Sequence, residues 1–285
     1  LRLLKKNSNI SNIFELGFPE DEEFLKRTIN NRNSISIVAA PTGEGKTTTL
    51  YSIMDYLNKP EINITTIEDP VEIRIDGLNQ IEIGGKSTYA SSIRTVLRQD
   101  PDIILVGEIR DKETAEIAIQ AGQTGHYVLS TIHTIDAIEI ITRLRKLGIS
   151  DYDIASTLST SISQRLVRRL CSKCKVQRPL TENEKNLIQL KNEKYNLNYS
   201  LDTMIYEAVG CEHCNKTGYY DRIGIFEILN ITDEIKELIM NGKSSIEIRR
   251  QALLQGYKPL EVDGLRKVFQ GETTLEELNK KISIY

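Results

Sequence analysis

The amino-acid sequence predicts a mixed α/β fold built around a mainly parallel β-sheet. Short β-branched runs alternate with stretches of helical periodicity, which is the pattern of β–α–β units. A length of 285 residues is enough for about two domains. A hydrophobic fraction of 39% beside 27% charged residues is typical of a globular protein. The formal net charge of −3 provides no general attraction to nucleic acid or to anionic lipid.

The first half of the chain supplies the alternating elements. Strands are predicted over Ser34–Ala39 and over residues 62–67, 102–106 and 127–130. Helices are predicted over residues 47–57 and 112–121. For the second helix, Asp111 is the expected N-cap and Gly122 is the expected residue just past its end.

From residue 135 onward the sequence predicts mainly helices. One helix is expected over residues 135–147 with Gly148 at its end, and another over residues 151–170. The second prediction rests on apolar residues that recur every four positions: Ile154, Leu158, Ile162 and Leu166. Capping boxes predict helix starts at Thr181, Ser244 and Thr273. Beyond residue 222 several short helices are expected, with breaks at Gly256 and Gly271.

A glycine-rich loop lies between the first predicted strand and the first predicted helix. The segment from Ala40 to Thr47 (APTGEGKT) matches the phosphate-binding loop, except that Ala40 replaces the usual first glycine. In such loops backbone N–H groups surround the phosphates of ATP, Lys46 reaches the β- and γ-phosphates, and the Thr47 hydroxyl binds Mg²⁺. The predicted nucleotide-binding residues are Pro41, Thr42, Gly43, Glu44, Gly45, Lys46, Thr47 and Thr48. The alternative is a glycine turn unrelated to nucleotides, which needs no strand before it and no helix after it.

Acidic residues follow two of the predicted strands. Glu108 comes just after the strand over residues 102–106, at the sheet edge where open α/β folds bind nucleotides. It is the expected Walker B acid, which holds the Mg²⁺ water shell or polarises the attacking water. A solvated loop acid is the alternative. Glu68, Asp69 and Glu72 follow the strand over residues 62–67, and Glu68 is the first candidate because it directly follows the strand.

Basic side chains near the same strands are candidates to contact the γ-phosphate. Arg94, Arg98 and Arg110 flank the strand over residues 102–106, and a guanidinium suits the charge that develops in phosphoryl transfer. Each of them is equally suited to a structural ion pair. His126 and His133 flank the strand over residues 127–130, and His133 is the candidate γ-phosphate sensor, although a lone histidine is more often structural.

The four cysteines form two pairs of the same spacing. They are Cys171, Cys174, Cys211 and Cys214. Two CxxC pairs in a chain without an export signal predict a Zn²⁺ site closed by four thiolates, which has a structural role. The gap between the pairs exceeds the roughly 15–20 residues of a zinc ribbon, so the insert must loop out. Redox or disulfide chemistry is the alternative, and His213 is expected to be a bystander.

Four segments together resemble the type II secretion and type IV pilus assembly ATPases. They are APTGEGKTTTLY, TIEDPVE, LRQDPDIILVGEIRD and TGHYVLSTIHT, which are similar to the Walker A, Asp box, Walker B and His box of that family. SQRLVRRLCSKC, the second cysteine pair and GYYDRIGIFEIL resemble the zinc-bearing part of the assembly-type members. The resemblance covers essentially the whole chain. Retraction motors of the same superfamily lack the four-cysteine element, so the resemblance implies assembly rather than retraction.

The resemblance implies a RecA-like P-loop core that uses ATP, Mg²⁺ and structural Zn²⁺. Lys46 and Thr47 would contact phosphate and Mg²⁺, and Glu108 would be the Walker B acid. Glu68 would be the Asp-box carboxylate and His133 the principal His-box residue. The implied arginines near the nucleotide are Arg94, Arg98 and Arg110.

The resemblance also implies partners. Such motors work as homo-hexamers at the cytoplasmic face of the inner membrane, where they turn a polytopic platform protein and so act indirectly on pilins or pseudopilins. No nucleic acid is expected as a partner. Because pilus assembly, type II secretion and DNA-uptake pili share this motor, the resemblance leaves the specific machine open.

Four regions are expected along the chain. Residues 1–33 are a remnant of a preceding domain and a linker, and residues 34–168 are the RecA-like P-loop core. Residues 169–222 are the zinc-binding subdomain, and residues 223–285 are a C-terminal helical subdomain. Leu1 to Leu4 resembles the final strand of the family's preceding domain, with Arg2 as a remnant of its arginines near the nucleotide.

Two other functions compete with the motor. One is a nucleic-acid translocase that grips its substrate through the basic residues near the first cysteine pair: Arg165, Arg168, Arg169, Lys173 and Lys175. The net charge and an aromatic content of 6% make base-stacking platforms a poor expectation. The other is an adaptor that binds nucleotide without turnover, against which the intact Lys46, Thr47 and Glu108 stand. The same basic segment is also suited to contact anionic lipid or the platform protein, and equally to be a plain solvated helix face.

Overall fold

The computed structural model describes residues 10, 12–18 and 33–284, and the chain divides into two compact units. The first unit contains Leu1–Gln164 and Ile228–Tyr257, and the second contains Arg165–Glu227 and Lys258–Tyr285. The predicted strand at Leu1 to Leu4, including Arg2, lies outside the described residues. Among the helices of the described ranges, none is both long enough and apolar enough to cross a bilayer.

Nine strands occur in the described part of the chain. They are β1 (Ser34–Ala39), β2 (Ile64–Glu68), β3 (Asn79–Glu82), β4 (Ile103–Val106), β5 (Tyr127–Ile132), β6 (Leu158–Leu170), β7 (Val176–Arg178), β8 (Ile205–Glu207) and β9 (Tyr219–Asn230). Seven of them form one sheet in the order β3-β2-β4-β5-β1-β6-β9, and β7 pairs with β8 in an antiparallel ribbon.

Ten α-helices accompany these strands within the described residues. They are α1 (Lys46–Leu57), α2 (Tyr89–Val96), α3 (Lys112–Gln123), α4 (Glu139–Lys146), α5 (Asp151–Thr157), α6 (Glu182–Tyr195), α7 (Asp233–Met240), α8 (Ser245–Leu254), α9 (Leu260–Phe269) and α10 (Leu275–Ile282). Two 3₁₀ turns cover Leu97–Gln99 and Glu212–Cys214.

The parallel sheet predicted from the sequence is confirmed. β1 pairs in parallel with both β5 and β6, and β4 pairs in parallel with both β2 and β5. All side chains of β1, β4 and β5 are buried, as is usual for a sheet covered on both faces. Because these strands run in the same direction, their carboxyl ends lie at one edge of the sheet, where the predicted loop and acids follow them.

The prediction of a helix over residues 151–170 is wrong. Helix α5 ends at Thr157, and the chain continues as the 13-residue strand β6. The spacing of four residues misled the prediction, because positions four apart share a face in a strand as well as in a helix. The sequence of β6 is rich in Ser and β-branched residues, and its pairing with β1, for example Ile37 opposite Ser161, fixes the extended form.

Several predicted element ends are also corrected. Helix α3 continues past Gly122 to Gln123, and Gly125, with φ 111°, follows it. Gly122 is a packing position, since a Cβ there would lie 2.7 Å from Thr157. Helix α4 begins only at Glu139, whose backbone N–H donates to Asp136 Oδ1 at 2.8 Å.

Two further corrections concern the C-terminal third. The capping residue of α10 is Thr274, which accepts from the Glu277 backbone N–H at 3.1 Å, whereas the neighbouring Thr273 bonds the Arg168 carbonyl. Beyond residue 222 the chain does not turn at once into helices, because β9 extends to Asn230. The capping boxes at Thr181 and Ser244 are confirmed as the starts of α6 and α8.

The compact units divide the chain differently from the domains expected from the sequence. Residues Ile228–Tyr257, including α7 and α8, group with the first unit. The reason is hydrophobic burial, since Leu229, Ile235 and Ile248 belong to the same buried cluster as the strands of the sheet. The second unit has its own core, which includes Val167, Ile188 and Leu265.

Candidate functional site

The phosphate-loop segment connects β1 to α1, as the motif requires. The loop leaves the sheet after Ala39, and Gly45 takes the N-cap position of α1 with φ 83°. Gly43 has φ 80°, yet a Cβ there would meet nothing within 4 Å. Glycine at this position is therefore needed for backbone conformation and not for space.

The Lys46 side chain folds back over this loop. Its Nζ donates to the carbonyl oxygens of Ala40 at 2.5 Å and Pro41 at 3.2 Å. Pro41, Thr42 and Gly43 are exposed, so the ammonium group lies beside an accessible turn. The N–H groups in the first turn of the 12-residue helix α1 favour an anion at the same place.

Glu108 lies in the short segment that leaves β4, with only 15% of its side chain exposed. The residues on either side are tied to neighbouring strands, since Gly107 N–H donates to Ile67 O and Ile109 N–H donates to Thr131 O, both at 2.9 Å. These bonds fix the backbone that carries the carboxylate between the ends of β2 and β5.

Two of the predicted basic residues lie at this carboxylate. Arg110 forms an ion pair with Glu108, and His133 Nε2 lies 3.6 Å from Glu108 Oε2. About half of the His133 side chain is exposed, so the imidazole is accessible from solvent. The structure therefore brings Glu108, Arg110 and His133 together.

Glu68 is more buried and more fully bonded than the sequence suggested. It is 5% exposed and accepts hydrogen bonds from the Tyr51 hydroxyl, from Thr66 Oγ1 at 2.5 Å and from Gln80 Nε2 at 3.3 Å. Burial, together with this carboxylate, raises the pKa of Tyr51. Asp69 next to it is exposed. Glu68 is thus a fixed carboxylate.

Arg94 and Arg98 are not brought to Glu108 in this chain. Arg94 Nη2 lies 3.0 Å from Glu113 Oε1 in an ion pair whose side chains are both more than half exposed. Arg98 lies on the exposed 3₁₀ turn after α2. His126 Nδ1 lies 3.1 Å from the carbonyl oxygen of Ala121, a local contact consistent with a structural role.

Tyr89 is a residue of this edge that the sequence analysis did not select. A Cβ placed on Gly107 would lie 2.8 Å from its hydroxyl, which shows how closely the phenol approaches the backbone next to Glu108. Burial raises the pKa of Tyr89 to about 12, and the charges of Glu108 and Asp69 act in the same direction. The hydroxyl therefore stays protonated at neutral pH and can donate. The available signals were a glycine before the strand-end acid and a tyrosine directly after the helix cap Thr88.

The four cysteines converge in the second unit, as the sequence predicted. All four sulfur atoms lie within 4.8 Å of one another. The Sγ–Sγ distances are 3.9 Å for Cys171–Cys211, 3.7 Å for Cys174–Cys214 and 3.8 Å for Cys211–Cys214. Zn–S bonds of ~2.3 Å in a tetrahedron separate the sulfurs by about 3.8 Å, whereas a disulfide needs about 2.05 Å. The geometry therefore fits zinc and not disulfides.

The backbone around the second cysteine pair helps to hold the sulfur atoms. The N–H groups of Cys211 and Gly218 both donate to Cys214 Sγ at 3.2 Å. Burial acts to raise the pKa of the Cys214 thiol, but these two donors, together with the Cys174 and Cys211 side chains, lower it to about 6. Gly210, with φ 105°, has the Lys216 carbonyl oxygen 2.6 Å from where a Cβ would stand. His213 stacks on Tyr220 and is no member of the cluster.

The basic residues near the first cysteine pair are largely engaged within the second unit. Arg168 makes two hydrogen bonds to Glu277 Oε2, at 2.9 and 2.7 Å. Arg169 Nε lies 2.8 Å from Glu272 Oε2, and Lys175 Nζ donates to a backbone carbonyl at 2.7 Å. These contacts support structural roles for three of the five basic residues.

Comparisons with known proteins agree with this arrangement. A family model described as type II/IV secretion system protein matches residues 1–280. The type IV pilus assembly ATPase PilB of Acinetobacter baylyi is 44% identical over 99% of this chain and 49% of its own length. The type II secretion system protein E of Aeromonas hydrophila is 40% identical over 98% of this chain and 54% of its own length.

Among solved structures, the pilus retraction motor PilT with bound ADP is similar with a TM-score of 0.71 at 26% identity. The match covers 97% of this chain and 68% of PilT. The chain spans about half the length of the curated relatives described above. A family match over nearly every residue, together with a phosphate loop and strand-end acids at one sheet edge, shows that the chain belongs to the type II/IV secretion system protein family.

Proposed function

We propose that the first unit binds ATP with Mg²⁺ and hydrolyses it. The observation that carries this proposal is the common sheet edge, where the phosphate-loop segment follows β1, Glu108 follows β4 and His133 follows β5. Open α/β proteins bind nucleotides at this edge. The relatives named as ATPases support the same chemistry.

The loop contributes its backbone N–H groups, the Lys46 ammonium and the Thr47 hydroxyl to this proposed site. The backbone N–H groups over residues 41–48 would bind the phosphates, and Lys46 would move its ammonium from the loop carbonyls to the β- and γ-phosphates. The Thr47 hydroxyl would hold Mg²⁺, which supplies positive charge to the phosphates. Ala40 in place of the usual glycine removes no hydrogen-bond donor, because both residues have a backbone N–H group.

Glu108 is assigned the role of orienting the water that attacks the γ-phosphate. Its carboxylate is held by Arg110, and the accessible His133 imidazole, 3.6 Å from that carboxylate, is the candidate contact for the γ-phosphate. Glu68 is a fixed neighbouring carboxylate that can support the water or the metal shell. Arg94 and Arg98 stay predictions as γ-phosphate ligands.

The cysteine cluster is assigned a structural role. Cys171, Cys174, Cys211 and Cys214 would bind one Zn²⁺ with no open position, so the ion stabilises the second unit and takes no part in hydrolysis.

We further propose that the protein is part of a hexameric motor for type IV pilus assembly or type II secretion. The names of the relatives support this machine. In it the chain would lie at the cytoplasmic face of the inner membrane, bind a polytopic platform protein and act indirectly on pilins or pseudopilins. The engagement of Arg168, Arg169 and Lys175 within their own unit supports the expectation that nucleic acid is not a partner.

Replacing Lys46 tests the nucleotide site. Lys46→Ala is expected to weaken ATP binding strongly and to reduce Mg²⁺-dependent phosphate release by about a hundredfold or more, because the positive charge that would stabilise the transferring phosphate is lost. The matched control is Lys112→Ala, which removes a surface lysine whose ion pair with Glu116 is exposed. Unchanged turnover in Lys46→Ala would contradict the assignment.

Replacing Glu108 separates binding from turnover. Glu108→Gln keeps the size of the side chain and removes its charge, so ATP binding is expected to persist while phosphate release falls by about a hundredfold. A wild-type chain that binds ATP through Lys46 but never hydrolyses it would instead favour the adaptor. Equal turnover in Glu108→Gln and the wild type would remove Glu108 from the mechanism.

A further inference from the structure

A buried amide bonds the phosphate-loop segment from a strand outside the motif. Gln164 lies on β6 directly after Ser163, which pairs with Ala39 at the end of β1. Its side chain is 1% exposed, and its Nε2 donates to the carbonyl oxygen of Glu44 at 2.6 Å. We propose that Gln164 is a positioning residue for phosphate binding by this loop, an inference that rests on the proposed nucleotide site.

The hydrogen bond acts on one particular peptide group. In a trans peptide the C=O of one residue and the N–H of the next point in opposite directions within one plane. Holding the Glu44 carbonyl on the side of Gln164 therefore directs the Gly45 N–H to the opposite side. That N–H directly precedes helix α1, where N–H groups bind phosphate.

The loop needs such a restraint because of its glycines. Gly43 and Gly45 both have φ near 80°, and glycine passes easily between positive and negative φ. A loop that must fix its peptide planes only when the nucleotide arrives loses binding free energy to that ordering. A hydrogen bond from a strand of the sheet restrains the Glu44–Gly45 peptide beforehand.

The chemistry of Gln164 favours this role over plain packing. A fully buried amide loses its hydration, and the Gln164 Nε2 group regains a hydrogen bond at the Glu44 carbonyl oxygen. An apolar side chain would fill the same position without that cost. Packing alone does not require a polar side chain at position 164. The hydrogen bond to the Glu44 carbonyl oxygen gives the amide a function there.

The test compares two variants of Gln164 in the full 285-residue chain. Gln164→Met keeps the volume and removes the amide, and Gln164→Glu replaces the donor with an acceptor that faces the Glu44 carbonyl. The probe is a fluorescent ADP, with adenosine as a competitor that has no phosphates. Gln164→Met is expected to weaken ADP binding about three- to tenfold, the range for one hydrogen bond. Gln164→Glu is expected to weaken ADP binding by more, while adenosine binding is unchanged in both variants.

The matched control is Thr160→Val, a change of similar shape on β6 that removes a buried hydroxyl bonded to Asn230 Oδ1. It is expected to bind ADP as the wild type does, and Gln164→Met and Thr160→Val are expected to unfold at similar temperatures without nucleotide. The proposal is overturned if Gln164→Met binds ADP like the wild type, if ADP and adenosine weaken equally, or if Gln164→Met unfolds far below Thr160→Val. Failure of the nucleotide site itself gives a different result, since Lys46→Ala and the wild type would then bind the fluorescent ADP equally.

Discussion

The phosphate-loop segment and the cysteine cluster differ in how completely their own contacts define them. In the cluster, two backbone N–H groups donate to Cys214 Sγ, and Cys171 and Cys214 are buried. The distances between the sulfur atoms fit tetrahedral coordination of one metal ion. In the loop, Pro41 to Gly43 are exposed, and Lys46 bonds carbonyls of its own turn. A closed metal site is complete with one ion, whereas a site for turnover must keep its groups accessible.

The electrostatics of the cluster add to this contrast. Burial raises the pKa of Cys174 to about 12, while the backbone donors, acting against burial, lower that of Cys214 to about 6. Without a cation Cys174 therefore keeps its proton at neutral pH. Because cysteines bind Zn²⁺ as thiolates, zinc would displace this proton, and its binding free energy would stabilise the folded state.

The largest expected effect follows from removing the metal. Cys211→Ser, or treatment with a strong chelator, is expected to release one Zn²⁺ per chain and to unfold the second unit, since structural zinc contributes on the order of 10 kcal/mol. Fluorescent ADP is expected to bind still, because the loop belongs to the first unit. The measurements are zinc release with a colorimetric chelator, circular dichroism and ADP titration.

His213→Ala is the matched control for this experiment. It changes a residue between the same two cysteines that is not a member of the cluster. The zinc content and the circular dichroism of this variant should match those of the wild type. A chain without zinc whose second unit melts as before would contradict the structural role of the cluster.

A smaller effect is expected from the buried ion pair of the second unit. Lys267 is 1% exposed, with its Nζ 2.5 Å from Asp263 Oδ2. Burial lowers the pKa of Lys267 from 10.5 to about 8. Between these values the unfolded chain binds a proton that the folded chain has released, so this lysine makes the free energy of unfolding rise with pH. The slope approaches about 1.4 kcal/mol per pH unit between pH 8 and 10.5.

Denaturant titrations of the wild type and Lys267→Met measure this slope as a difference, which cancels the titration of tyrosines common to both. Asp263 keeps partners in the variant, because the Phe226 backbone N–H and Arg266 also donate to it. The free energy of unfolding of the wild type minus that of Lys267→Met should rise from pH 8 to 10. A difference that falls or stays constant over this range would show that the lysine is charged throughout.

The difference between local patterns and contacts of distant residues explains what the sequence could predict. The phosphate loop, the strand before it and the cysteine pairs are local patterns, and each was found where expected. Strand β6 was mistaken for a helix because its apolar spacing fits both forms, and only its pairing with β1 decides between them.

Contacts between distant residues account for what was missed at the site. Tyr89 reaches Gly107 only because α2 packs at the sheet edge, and Gln164 reaches Glu44 only because β6 lies beside β1. The neighbourhood of Glu108 was predictable, since strand ends of a parallel sheet share one edge. The saturation of Glu68 by Tyr51, Thr66 and Gln80 was not, because its donors come from separate segments.

The smallest expected effect concerns a single hydroxyl at the open site. Tyr89→Phe keeps the ring against Gly107 and removes a neutral donor beside Glu108 and Asp69. Because one hydrogen-bonding group contributes about 0.5–1.5 kcal/mol, turnover should fall about two- to tenfold while ADP binding is unchanged. Tyr152→Phe, which alters an exposed tyrosine, is the control. Unaltered turnover in Tyr89→Phe would make the phenol a packing residue. A fall in turnover would show that several groups of the accessible site each contribute a small part of the rate. Loss of one thiolate of the cluster, in contrast, is expected to remove the whole metal site.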